Sequence, residues 1–297
     1  MIAIFMRGKY CAKSFLTMES ASPPLASVDS PGAAVAFSPR MELDLANKVA
    51  IVTGASRGIG RAIAEALSQE RMRLVLAARS GELLKEVAQS CNAESVTFEA
   101  DLRDVNAPQK LVALAVEKFG GIDLLVNNAG ATKRGDFLQL TEEDWRDGFA
   151  LKFYCAVGCS RAAWPHLVKA RGSIVNIVGV GGRTGSADFA VGGAVNAALL
   201  NLTKVLADRG MKDGVRVNAI NPGAIATDRL RIRINKLAGE GGIAFEEASS
   251  RMAEQLGVRR FGEPAEIAAV VAFLASDRAG YCQGTILDVD GGQTRTL

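Results

Sequence analysis

The chain has 297 residues, 48% hydrophobic and 23% charged, a composition that suits one globular α/β domain of about 250 residues plus an appendage. A net charge of +3, with no Lys/Arg-rich block and no basic-aromatic interleaving, argues against nucleic acid and leaves small molecules as the expected partners. Five scattered cysteines without a Cys-x-x-Cys pair, and a single histidine, His166, point to a reducing cytoplasm and to no metal site; Cys155 and Cys159, one helical turn apart, read as small buried hydrophobes.

Residues 1–42 differ in character from the rest of the chain. Ala21 to Arg40 is rich in Pro, Ser and Ala without an amphipathic period, and is expected to be disordered. The first seventeen residues carry Arg7, Lys9 and Lys13 without an acid, faintly like a transit peptide, but their apolar stretch is too short to span a membrane. Met41 reads as the natural opening of the folded region, an upstream start-codon assignment accounting for the extension, so the domain is expected over 43–297.

From there strand and helix patterns alternate. Strands are predicted over 48–53, 73–78, 95–99, 122–126, 172–178, 214–220 and 284–288, and helices over 58–70, 80–90, 106–119, 141–168, 189–210 and 264–275. Thr141 and Asp144 make a capping box for the helix 141–168. An insertion, 228–262, holds helical patches from Arg229 to Ala238 and from Phe245 to Leu256. The alternation predicts a single-domain, Rossmann-type, doubly wound parallel sheet.

In such a sheet the ligand lies beyond the carboxyl ends of the strands. The first strand runs into Gly54-Ala55-Ser56-Arg57-Gly58-Ile59-Gly60 and then a helix. Glycines there let backbone approach a pyrophosphate and let the helix pack close, so a dinucleotide is the expected ligand. The second strand ends Ala77-Ala78-Arg79. An acid at that point would bind a ribose 2′-hydroxyl; Arg79 with Arg57 suits a 2′-phosphate instead, which favours NADP over NAD. Asp101 and Leu102 come after the third strand, Asn127-Asn128-Ala129-Gly130 after the fourth, Gly179 to Gly185 after the fifth, and Asn221-Pro222-Gly223-Ala224-Ile225-Ala226-Thr227 after the sixth.

These motifs, with Arg260-Phe261-Gly262-Glu263-Pro264 and Asp288-Val289-Asp290-Gly291-Gly292, resemble in order and spacing the short-chain dehydrogenase/reductase family over about residues 44 to 293. The resemblance implies an NAD(P)-dependent oxidoreductase, a homodimer or homotetramer, and phosphate contacts from Gly54, Ser56, Arg57, Ile59 and Gly60. It also implies Asp101 and Leu102 beside the adenine, and Asn128, Ala129 and Gly130 along the adenosine side. Pro222 and Gly223 would lead to Ile225 and Thr227 at the nicotinamide carboxamide.

The family's chemistry rests on a Tyr-x-x-x-Lys pair, a Ser and an Asn. Aligned on Asn201-Leu202-Thr203-Lys204-Val205-Leu206-Ala207, Gly192 falls at the Tyr and Asn196 at the Lys, while Gly179 falls at the Ser and Lys152 at the Asn. The only tyrosines, Tyr10, Tyr154 and Tyr281, have no lysine four residues on. The chain is therefore expected to be a divergent member, with three outcomes open. Lys152 could reach the space at Asn196 and serve as a displaced cation, its pKa lowered by desolvation, or it could point to solvent or a subunit contact. The acceptor could be an enone, quinone or iminium needing no strong acid, with Asn176, Asn196 or Ser186 as donors, each of which also has a structural reading. Or the protein could be a redox-silent sensor, scaffold or partner subunit. Arg229, Arg231, Arg233 and Lys236 read as a solvated helix face, the alternative being that some of them meet an anionic substrate on closure.

Overall fold

A computed structural model describes residues 41–295. The expected extension therefore lies, but for Met41 and Glu42, outside the described residues, and Glu42 onward forms one unit. The strands are β1 (Val49–Thr53), β2 (Arg73–Ala78), β3 (Ser95–Glu99), β4 (Leu124–Asn127), β5 (Ser173–Ile177), β6 (Arg216–Pro222) and β7 (Ile286–Val289). The helices are α1 (Gly58–Gln69), α2 (Gly81–Ser90), α3 (Ala107–Phe119), α4 (Glu142–Gly148), α5 (Cys155–Ala170), α6 (Ala190–Asp213), α7 (Asp228–Gly241), α8 (Phe245–Leu256) and α9 (Pro264–Ala275).

All pairings are parallel, in the order β3-β2-β1-β4-β5-β6-β7. Every residue of β1 is buried, because helices cover both faces of the sheet. Ala50 and Val52 face a core shared with Ile63, Leu67 and Val271, and Val49 and Ile51 face a second one with Leu111, Ala115 and Leu167. The strand order reverses between β1 and β4, so a crevice opens where these two strands end.

Two differences from the predicted elements matter. The helix predicted over 141–168 starts at the expected capping box, where Thr141 accepts from the Asp144 N–H and Asp144 accepts from the Thr141 N–H. It is not continuous, however: Phe149–Tyr154 winds as a π-helix between α4 and α5. A π turn holds an extra residue per turn and rotates what it carries, at a cost that survives where side chains gain by it. Lys152 sits inside it. The second difference is at β6, which begins two residues later than predicted because Gly214, at φ 73°, caps α6 in the left-handed region. Pairing with β7 then extends β6 through Pro222, opposite Val289.

Helix α6 is long and apolar enough by length and composition to cross a bilayer, but here it packs on β6 and buries Val191, Val195, Leu199 and Ala207. Helices α7 and α8 form the predicted insertion, with a small core of their own from Leu230, Ile234, Ala248 and Met252. The ends of that insertion are clipped together, Ala226 N–H donating to the Gly262 carbonyl at 2.7 Å and Gly262 N–H to the Ala224 carbonyl at 3.0 Å. This clip sets α7 directly after β6.

Candidate active site

The glycine turn and the end of β4 are stitched across the switch point. Asn128 Nδ2 donates to the Thr53 and Gly54 carbonyls at 3.0 and 3.1 Å, and the Asn128 and Ala129 N–H groups donate to Thr53 Oγ1. Gly54 and Gly58 take φ of 68° and 57°, where a side chain is strained. A Cβ on Gly60 would lie 2.2 Å from the Gly54 carbonyl oxygen, so α1 packs as tightly on the turn as a phosphate cradle requires. Helix α1 also has no side-chain cap, which leaves its first N–H groups available to an anion. Thr227, at the start of α7, closes the far side, its Cγ2 lying 3.3 Å from where a Gly58 Cβ would stand. A dinucleotide pyrophosphate fits this arrangement.

The remaining expected cofactor residues come from the ends of β2, β3 and β6 and from that turn itself. Ser56 and Ile59 flank it, and Pro222 and Gly223 are held by β7, Gly223 N–H donating to the Val289 carbonyl at 3.1 Å. Ile225 is buried and paired with Gly262. Leu102 is buried beside Asp101. Asp101 accepts from Arg103 Nε and Nη2, the latter at 2.6 Å, and this pairing, with Arg79 nearby, holds its carboxyl at about 2. Arg57 and Arg79 are exposed, and neither has a side-chain hydrogen bond or ion pair with a described residue.

Lys152 and Asn196, forty-four residues apart, meet. Lys152 Nζ donates to the Val178 carbonyl at 2.5 Å and to Asn196 Oδ1 at 2.6 Å. Asn196 is buried and its Nδ2 points back to the Gly179 carbonyl at 3.4 Å. The lysine stem runs over Gly130, where a Cβ would stand 2.9 Å from Lys152 Cδ. Although half-buried by surface area, Lys152 has its ammonium walled by protein with no carboxylate beside it. Desolvation, and then the charge of Arg229, lower its pKa to about 7.

The space beside Gly192 is filled by Phe189, whose Cζ would lie 2.0 Å from a Gly192 Cβ. That ring also covers Gly181 and stacks under Arg134, whose Cζ is 4.0 Å from the ring centroid. Tyr154 and Tyr281 are both exposed. Asn176 braces the sheet, accepting from Asn127 Nδ2 at 2.9 Å and donating to Thr203 Oγ1 at 2.9 Å, and Ser186 Oγ donates to Asp188. Both thus take the structural reading. Among the described residues no cluster of His, Cys, Asp and Glu could hold a metal, and Cys155 and Cys159 are buried with sulfurs 3.9 Å apart.

Sequence reasoning missed Phe189, Arg134, Asp188 and the Val178 carbonyl. Arg134 carried a usable signal, since it lies in the segment leaving β4 at the ligand end of the sheet. Phe189 carried none, because its importance comes from a glycine on the next turn.

An open parallel sheet with a glycine-rich turn at its switch point defines a nucleotide-binding α/β protein. Comparison with known proteins narrows this. A family model described as Enoyl-(Acyl carrier protein) reductase matches residues 54–294. The chain is 36% identical over 249 residues to meso-2,3-butanediol dehydrogenase of Serratia marcescens, covering 84% of this chain and 95% of that protein. It is 34% identical over 254 residues to the 3-oxoacyl-[acyl-carrier-protein] reductase FabG of Staphylococcus epidermidis, covering 83% and 98%. The crystal structure of L-sorbose reductase from Gluconobacter frateurii complexed with NADPH and L-sorbose superposes with a TM-score of 0.83 at 31% identity, covering 86% of this chain and all of that one. The chain belongs to the short-chain dehydrogenase/reductase family.

Proposed function

We propose that the protein is a cytoplasmic NADP-dependent oxidoreductase that reduces a small carbonyl or enone, with Lys152 as proton donor in place of the family's tyrosine. One observation carries this: the Lys152 ammonium, bonded to Asn196 Oδ1 and the Val178 carbonyl, has a pKa lowered to about 7, where it can both hold and release a proton.

NADPH, when bound, supplies the hydride. Gly54, Ser56, Arg57, Ile59 and Gly60 would hold its phosphates, Asp101, Leu102, Asn128, Ala129 and Gly130 its adenosine side, and Pro222, Gly223, Ile225 and Thr227 its nicotinamide side. Two donors of the Lys152 ammonium are taken, which leaves the third for the substrate oxygen. As negative charge grows on that oxygen, Lys152 Nζ stabilises it and gives up a proton; the neutral amine then recovers one from solvent. Asn196 is the positioning residue: its Oδ1 fixes Nζ, and burial keeps its own rotamer. The relatives named as butanediol dehydrogenase, oxoacyl reductase and sorbose reductase support a carbonyl or alcohol substrate. A homodimer or homotetramer agrees with the apolar side chains Val168, Val205 and Met211 left exposed on α5 and α6.

The test is NADPH oxidation with a panel of ketones, enones, quinones and imines. Turnover with at least one class is expected; NADPH binding with no acceptor reduced would instead identify a redox-silent sensor or partner subunit. Arg57 and Arg79 give a separate expectation for the cofactor. Replacing both with Ala should weaken NADPH by about 10- to 100-fold, each lost charge-assisted bond accounting for part of it, and barely move NADH. Fluorescence titration with the two nucleotides measures this, and equal losses for both would refute the 2′-phosphate assignment.

A further inference from the structure

We infer that Arg134, Arg229 and Arg233 form a receptor for the carboxylate or phosphate of an anionic substrate at the mouth of the Lys152 site. This deepens the oxidoreductase reading and rests on it for the identity of the ligand as substrate.

The cations of α7 differ in their surroundings. Arg229 and Arg233, one turn apart, are crowded by protein and lie close enough to feel the charge of Arg134, whereas Lys236 pairs along the helix with Glu240 at 3.6 Å. Arg229 Nη2 donates to the Gly130 carbonyl at 3.0 Å, and Gly130 is the residue across which the Lys152 stem passes. Arg134 comes from the segment after β4. It is held over Phe189 and by Asp188, its Nη1 donating at 2.8 Å to Asp188 Oδ2, while the Gly135 N–H donates to the Asp188 carbonyl at 3.0 Å.

The balance of charge is lopsided. Asp188 is the one acid in this group, and it already accepts from both Arg134 and Ser186. Arg229 has a backbone carbonyl as its partner, and Arg233 has no hydrogen bond or ion pair with any described residue. Crowding by protein and the positive charge of Arg134 disfavour the charged form of both, outweighing for Arg233 the opposite pull of Asp188. Solvent still reaches both, Arg229 being exposed and Arg233 half-buried. Bringing like charges together is costly, and these two lack the acidic partner that Arg251 of α8 has in Glu247 at 2.6 Å. A cleft lined by one sign of charge concentrates counter-ions, and guanidinium forks match the flat oxyanion edges of carboxylate and phosphate.

Calorimetric titration with malonate and with inorganic phosphate, at saturating NADP so that the glycine turn is filled, tests the receptor. At least one anion should bind, and which one binds separates a carboxylate from a phosphate ligand. Affinity should fall about 10- to 100-fold in Arg229→Ala and in Arg233→Ala. In turnover, the preference for a keto acid over its methyl ester should collapse by a similar factor in Arg233→Ala. The inference is overturned if neither anion binds, if both variants bind as the wild type does, or if the variants lose NADP affinity instead, which would give the arginines to the cofactor. Anion binding without NADPH oxidation by any acceptor would remove the oxidoreductase reading and keep the receptor. Oxidation with neutral ketones and no anion binding would do the reverse.

Discussion

Lys152→Met should lower kcat by about 10² to 10⁴ while NADPH binds nearly as before, because the substitution removes the proposed proton donor and leaves the glycine turn untouched. Methionine keeps the length and apolar stem of the lysine, so packing over Gly130 survives. The pH dependence adds a signature that a structural role would not give. Reduction needs Nζ protonated, so wild-type kcat/KM should be level below pH 7 and fall as the pH rises through about 7. The variant's residual rate should lack that fall, and Arg229→Ala, which removes a positive neighbour, should move it to higher pH. Full turnover in Lys152→Met would end the case for a displaced cation.

Stability offers a check that involves no substrate. The folded-state pKa of Lys152, about 7, lies below its ordinary value of 10.5, so between those limits the unfolded chain binds more protons and wild-type stability rises with pH. The penalty is complete below pH 7 and gone above 10.5. Replacement by Met removes it, at the expense of leaving Asn196 Oδ1 and the Val178 carbonyl without their donor. The Tm of the variant minus that of the wild type should therefore be most favourable near pH 7 and shrink toward pH 10, whatever its absolute sign. A difference independent of pH would mean that Lys152 is not desolvated.

The second large effect is expected at Gly60. In Gly60→Val the Cβ alone would meet the Gly54 carbonyl oxygen at 2.2 Å and Asn128 Nδ2 at 2.4 Å, and backbone on one side cannot rotate away. Helix α1 must retreat from the turn. Overpacking of this kind costs about 1 to 3 kcal/mol, or a Tm loss of about 2 to 12 °C in a domain of this size. NADPH affinity should drop about 100-fold or more, because the retreat withdraws the N–H groups of α1 from the phosphates. Gly239→Ala is the matched control: a Cβ there meets nothing within 4 Å, and a helix-interior alanine should stabilise α7 by about 0.5 to 1 kcal/mol. Thermal melts and nucleotide titration of the two variants decide the matter, and a Gly60→Val protein that binds NADPH normally would show that the turn is not the phosphate site.

Much of this was legible in the residues because it depends on local periodicity and spacing. The central strands β1, β2 and β4 are short, mostly apolar runs, since both their faces are covered, and the helices that cover them pack apolar side chains on the sheet. Element order then leaves little freedom in how the sheet is wound, and the glycine turn and the strand-end motifs sit at the switch point as that winding requires. The insertion helix from Phe245 to Leu256 was legible to the residue for the same reason.

What the sequence could not decide was the destination of four side chains. Lys152 could have faced solvent, and the π turn that carries it to Asn196 leaves no trace in hydrophobic pattern, because its cost is offset by hydrogen bonds to residues 26 and 44 positions away. The vacancy at Gly192 reads as lost chemistry in one dimension, whereas in three dimensions it is the volume that Phe189 fills. Arg229 and Arg233 repeat along α7 like any solvated face, and only the tertiary fold brings them within reach of the charge of Arg134, and Arg229 within reach of the lysine. The chain itself thus determined the sheet and the nucleotide cradle, which arise from short-range pattern and glycine sterics. The placement of Lys152 and the charge around it were decided by tertiary packing, because burial, and with it the pKa of Lys152, is a property of neighbours that are distant in sequence.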